Sequence, residues 1–87
     1  MGRRRSDEVI FNSDYVSISE LVRITGIRYS TIKYYTEEGM IPFEQEESNL
    51  TRRYPRVMAV ERLNEISTLR KRGFSIPKVK ELLSIDF

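Results

Sequence analysis

Residues 16–39 read VSISELVRITGIRYSTIKYYTEEG, and this stretch predicts two short helices joined by a tight turn at Gly26. Ser17 and Glu20 match a capping box, in which a serine hydroxyl and a glutamate carboxylate each accept a backbone N–H at the start of a helix. The first helix is therefore predicted over 18–25. Glycine suits the left-handed conformation that ends a helix, so the turn is placed at Gly26 and a second helix over 29–38.

The second predicted helix has two different faces. At about 100° per residue, Ile32 and Tyr35 point the same way and are assigned to the core. The opposite face carries Ser30, Lys33, Tyr34 and Glu37. Hydroxyl, ammonium and phenol groups contact bases and phosphates, so this face is a candidate for insertion into a DNA groove. An ordinary solvated face is the alternative, and the large aromatic ring of Tyr34 argues against it.

The flanking segments extend this helix pair. Residues 1–14 are predicted to be a flexible basic arm, with docking of 9–11 on the domain as the alternative. Pro42 disfavours helix in the residue before it, so residues 41–54 are predicted to form a small hairpin that serves as a wing. Further helices are predicted over 56–72, with Val57 among its core residues, and over 76–84 after a serine cap.

Composition limits the possible functions. The 87 residues suit one small domain. The chain has no Cys and no His, so disulfides and thiolate metal sites are excluded within it, and the commonest general base is missing. The carboxylates match no calcium loop. We therefore expect no enzyme activity, no cofactor and no metal. No apolar run is long enough to span a membrane, and a cytoplasmic location is expected.

Charge is informative through its distribution, because the net charge is only +2. Basic clusters alternate with acidic ones, and eleven of the fifteen cations are arginine, which suits forked contacts to phosphate and guanine. A salt-bridged helical surface is the alternative for any single cluster. Side chains alternate along a strand, so Arg52 and Arg53 must point in opposite directions, and we place Arg52 on DNA.

The ordered segments SISELVRITGI, STIKYYTEEGMIP, TRRYP and VERLNEISTLRKRGFSIPKVKELL resemble the N-terminal domain of MerR-family transcription regulators over residues 15–84. The resemblance implies a mostly α winged helix-turn-helix with a small two-stranded β-hairpin wing and a second helix pair. It also implies sequence-specific binding of double-stranded DNA and transcription regulation. RNA polymerase at a promoter is a further implied partner.

Family DNA contacts carry over to Thr31, Lys33 and Tyr34 in the recognition helix and to Arg52 in the wing. Tyr54 resembles the tyrosine that closes the wing and reaches a phosphate, and Ser17 is similarly placed to receive one. This chain has Ser30 where the family commonly has arginine, which affects the expected base preference. The predicted DNA-binding residues are Ser17, Arg28, Tyr29, Ser30, Thr31, Lys33, Tyr34, Arg52, Arg53 and Tyr54.

Regulators of this type continue into a long helix that pairs with a second subunit and then into an effector region. Residues 85–87 end before such a helix, so we expect a fragment of a longer chain or a naturally short variant. A homodimer is expected only if a longer chain supplies the dimerisation helix. Two rival functions remain open. One is an excisionase-like or architectural DNA-binding accessory protein of the same fold, and the other is a protein-interaction module.

Overall fold

The computed structural model describes residues 5–45, 47 and 51–84, and it confirms a mostly helical fold with a two-stranded antiparallel sheet. The predictions for residues 1–4, Leu50 and 85–87 lie outside the described residues. In chain order the elements are α1 (Asp7–Phe11), β1 (Tyr15–Val16), α2 (Ile18–Thr25), α3 (Tyr29–Glu37), β2 (Tyr54–Pro55), α4 (Arg56–Lys71) and α5 (Ile76–Leu82).

The central helix pair forms as its local sequence predicts. The Ser17 side chain accepts the N–H of Glu20, and the Glu20 side chain accepts the N–H of Ser17, so both bonds of the capping box are present. α2 ends at Gly26, whose φ of 74° lies in the left-handed region. α3 follows after two further residues and ends within one residue of its predicted end.

The core lies between α2, α3 and the second helix pair. The buried apolar side chains are Ile10, Val16, Leu21, Ile32, Tyr35, Met40, Ile41, Tyr54, Ala59, Leu63, Ile66 and Val79. The assignment of Ile32 and Tyr35 to the core is confirmed. The assignment of Val57 is wrong, because its side chain is 53% exposed. Val57 precedes the buried Ala59 by two residues, which places it about 200° away around α4.

The wing closes differently from the predicted hairpin. Glu44 and Arg53 form one antiparallel bridge, with N···O distances of 2.7 and 2.9 Å between their backbone groups. The two-stranded ladder instead pairs β2 with β1, in the register Tyr15 with Pro55 and Val16 with Tyr54. Met40 and Ile41 are both buried, so this part of the chain turns into the core rather than alternating as a strand.

The N-terminal segment departs from the predicted flexible arm. Residues 7–11 form α1, capped by the Ser6 side chain, and Ile10 is fully buried in the core. The guanidinium of Arg5 is bound by Glu20 on α2. The flexible arm predicted for residues 1–14 is thus wrong for 5–14, and the alternative of docking residues 9–11 on the domain holds through Ile10. A helix of five residues shows too little periodicity to be read from sequence, and its stability comes from the contact with α2.

Candidate nucleic-acid interface

The outer face of α3 presents polar and aromatic groups to solvent. Tyr29 and Tyr34 are 51% and 45% exposed, and Ser30 and Lys33 are also exposed. Thr31 lies at the edge of this face and is partly buried. The burial of Ile32 and Tyr35 on the other side fixes the rotation of the helix about its axis.

The electrostatics of the N-terminal turn of α3 favour an anionic partner. The turn contains no acidic residue, and Arg28 stands at the N-cap position without a side-chain cap bond. The positive end of the helix dipole therefore lies beside the Arg28 cation, and no carboxylate in the first turn of α3 offsets this positive charge. The Arg28 side chain is exposed to solvent.

A groove of about 340 Å³ joins this face to the second helix pair. Ser30, Thr31 and Tyr34 line one side, and Arg70 from the last turn of α4 lines the other. One guanidinium nitrogen of Arg70 donates to the Phe74 carbonyl oxygen at 2.8 Å, so the side chain is held against the loop that follows α4. The groove thereby brings a cation from α4 to three of the predicted α3 contact residues.

The N-terminus of α2 carries a network that sequence reasoning found only in part. The Arg5 guanidinium donates two hydrogen bonds of 2.7 Å to the Glu20 carboxylate, which also accepts the N–H of Ser17 at 2.9 Å. The bonds from Arg5 are the largest cause that lowers the pKa of Glu20. The Ser17 hydroxyl oxygen accepts the N–H of Glu20 at 3.2 Å, so the hydroxyl proton is not used in the capping box.

The two wing arginines occupy opposite faces of the chain, as strand alternation requires. The Arg52 guanidinium carbon lies 5.1 Å from the centroid of the Phe43 ring. The Arg53 guanidinium carbon lies 5.3 Å from the centroid of the Tyr15 ring. The Tyr15 hydroxyl donates to the Glu44 carboxylate, and this hydrogen bond raises the pKa of Tyr15. Arg53 therefore packs on the Tyr15 ring, whose hydroxyl is bound to the Glu44 carboxylate, whereas Arg52 packs on the apolar ring of Phe43.

The structure corrects the role expected for Tyr54. Its side chain is fully buried, and its hydroxyl lies 2.9 Å from the hydroxyl oxygen of Thr36, so it does not reach a phosphate. Thr36 is itself buried, with 3% exposure. Sequence reasoning missed this hydroxyl pair because its two members are 18 residues apart and belong to different elements.

A second ionic contact links the helix pairs. The Lys80 ammonium of α5 lies 2.8 Å from the carboxylate of Glu38, the residue that ends α3. This contact holds α5 near the C-terminal end of α3. Among residues 5–45, 47 and 51–84, no group of acidic side chains is arranged to hold a metal ion.

The domain has two helices joined by a turn, a wing, and an exposed polar face on the second helix. These features define a winged helix-turn-helix domain. The chain belongs to the MerR family of helix-turn-helix regulatory proteins, whose family model matches residues 16–85. No helix in the described part of the chain has the length and apolar content needed to cross a membrane.

A comparison with one curated relative shows how much of a longer protein the chain matches. A mercuric resistance operon regulatory protein from Serratia marcescens is 27% identical over 75 residues, which make up 86% of this chain and 51% of that protein. The chain thus spans about half the length of this relative. No solved structure matches the chain significantly.

Proposed function

We propose that this chain binds duplex DNA in a sequence-specific way, with α3 in the major groove. The observation that carries the proposal is the outer face of α3. It exposes a lysine, a serine and two tyrosines, its first turn carries no acidic residue, and its opposite face is anchored in the core. A helix so presented has the donors that base edges and phosphates accept.

The roles of the contact residues follow from their positions. Lys33, Ser30 and Tyr34 lie on the exposed face and are the proposed base-reading residues, with Thr31 at the edge of that face. Arg52 on the wing and Arg70 at the groove beside α3 are the proposed phosphate contacts. Phosphate contacts set the register of a protein on the duplex, and base contacts select the sequence.

Selection from a pool of randomised duplexes tests this proposal. The wild-type chain is expected to enrich one sequence motif at low salt. Lys33→Ala is expected to lose or change that motif, because it removes a proposed base contact. Arg52→Ala is expected to weaken binding to all sequences and to leave the motif unchanged. Failure of the wild-type chain to enrich any sequence would contradict the proposal.

A charge-matched control separates the loss of a contact from the loss of one positive charge. Lys78 lies on α5, is exposed, and pairs with Glu81 at 3.3 Å. Lys78→Ala changes the net charge by the same amount as Lys33→Ala. It is expected to keep the wild-type motif, because this lysine is not on the α3 face.

We further propose that the protein regulates transcription. The proposed location is the cytoplasm, and RNA polymerase at a promoter is the proposed protein partner. We propose a homodimer only if the native chain includes a dimerisation helix. We propose no catalytic role for the protein. Footprinting of the native protein on the selected motif tests the dimer, which predicts two protected half-sites related by symmetry.

A further inference from the structure

A chain of side-chain contacts runs from α3 to the wing through the interior of the domain. Thr36 on α3 donates a hydrogen bond of 2.8 Å to the Ile32 carbonyl oxygen. A threonine hydroxyl has one proton, so the 2.9 Å contact between the Thr36 and Tyr54 hydroxyls must use the Tyr54 proton. Both residues are buried. This bond therefore fixes the start of β2 relative to the recognition helix.

The contacts continue through two aromatic rings to the wing cation. The rings of Tyr54 and Phe43 have centroids 6.2 Å apart and planes tilted by 48°, an arrangement within the favourable range for aromatic pairs. The guanidinium carbon of Arg52 lies 5.1 Å from the Phe43 centroid, within the range of a cation–π contact. The bridge between Glu44 and Arg53 holds the two sides of the wing together at this level.

Strand geometry explains why these groups share one face. The bridge between residues 44 and 53 places Phe43 directly opposite Tyr54. Arg52 is two residues before Tyr54 and points to the same side, whereas Arg53 points to the other side and contacts Tyr15. The Nε atom of Arg52 is buried without a hydrogen-bond partner among the described residues. Packing against the ring is the contact that the described structure gives this part of the side chain.

We propose that Phe43 is a positioning residue for DNA binding, which holds the Arg52 guanidinium at a fixed place relative to α3. This inference rests on the proposed function and adds to it a residue that need not touch DNA. An arginine side chain loses rotamer freedom when it binds a phosphate, and a ring that orients it beforehand reduces that loss. Tyr54 and Thr36 transmit the position of α3 to the ring.

Double-mutant cycles measured by fluorescence anisotropy on a labelled mixed-sequence duplex test the inference. Phe43→Leu is expected to weaken duplex affinity about two- to five-fold, as for an exposed cation–π contact of ~0.5–1 kcal/mol. Phe43→Tyr keeps the ring and should bind as the wild type does. In an Arg52→Ala background, Phe43→Leu should cause no further loss, because the cation that the ring orients has been removed.

The matched control uses the arginine on the other face of the wing. Phe43→Leu should weaken binding by the same factor in an Arg53→Ala background as in the wild type. Binding measured between about 50 and about 200 mM salt should also give a smaller salt dependence for Phe43→Leu than for the wild type. Thermal unfolding of each variant checks the fold, and Phe43→Met replaces Phe43→Leu if the latter does not fold.

The outcomes separate this inference from the proposed function. If Phe43→Leu leaves affinity unchanged, or weakens binding equally with and without Arg52, Phe43 does not act through Arg52 and the inference is wrong. If the wild-type chain binds no duplex, or if Arg52→Ala leaves affinity unchanged, the proposed DNA-binding role of the wing fails first. Loss of binding in proportion to loss of thermal stability would show a purely structural role for the ring.

Discussion

The buried hydroxyl pair between α3 and β2 gives a stability prediction with a definite order of effects. Tyr54→Phe removes one hydroxyl and leaves Thr36 donating to the Ile32 carbonyl oxygen, so only an acceptor loses its partner. Thr36→Val removes the other hydroxyl and leaves the Tyr54 O–H as a buried donor without a partner. The second substitution should therefore cost more than the first.

The magnitudes follow from the burial of both groups. A neutral hydrogen bond contributes about 1 kcal/mol net, which is the expected cost of Tyr54→Phe. Leaving a buried donor unpaired costs about 1–3 kcal/mol, and the full burial of Tyr54 places Thr36→Val towards the upper part of that range. The double variant has neither hydroxyl, so it should be more stable than Thr36→Val alone. Each kcal/mol should lower the Tm by about 4–8 °C in a domain of this size.

Urea unfolding followed by circular dichroism measures the three variants. The denaturant dependence of the unfolding free energy should stay at the wild-type value, which shows that the surface exposed on unfolding is unchanged. The reasoning is refuted if the two single costs sum to the cost of the double variant within about 0.5 kcal/mol, because independent sites behave in that way.

Three further predictions concern the N-terminal half of the chain. Ile10→Ala should cost about 2–5 kcal/mol in chemical unfolding, whereas the exposed Val9→Ala should cost less than about 0.5, and equal small costs would show that α1 does not dock. Gly26→Ala should cost about 1–2 kcal/mol through backbone strain alone, because φ is 74° and an added Cβ meets no atom within 4 Å; an unchanged Tm would contradict this. Arg5 lowers the pKa of Glu20 in the folded state. The ionised Glu20 carboxylate therefore stabilises the fold fully above the unfolded pKa of about 4.3, and this stabilisation is lost as pH falls through the pKa of the folded state. Unfolding measured across this acid range should show a smaller loss for Glu20→Gln than for the wild type, and parallel curves would argue against the contact.

Local sequence signals account for the elements that were predicted well. The capping box and Gly26 fix both ends of α2 through bonds within a few residues, and each of those bonds is present. The same holds for α5, where Ser75 caps the helix by accepting the N–H of Lys78. In such places the sequence contains both partners of the interaction, and so the pattern is sufficient.

The features that were predicted poorly depend on partners far along the chain. β2 pairs with β1 rather than with the segment before the wing, and nothing local to Tyr54 indicates that choice. The burial of Tyr54 follows from its contact with Thr36, which no spacing rule encodes. Ile10 stabilises a short helix only because α2 and the core receive it. The exposed face of α3 was predictable because it depends only on the rotation of one helix.

A salt titration of wild-type duplex binding tests DNA recognition by the α3 face and the wing most directly. The logarithm of affinity should fall linearly with the logarithm of salt concentration, with a slope of about −0.9 for each phosphate neutralised. The proposed contacts of Arg52 and Arg70 with DNA imply at least two such phosphates, and Arg52→Ala should make the slope shallower by about one. An absence of duplex binding at low salt, or an affinity that does not respond to salt, would contradict the proposed DNA-binding role.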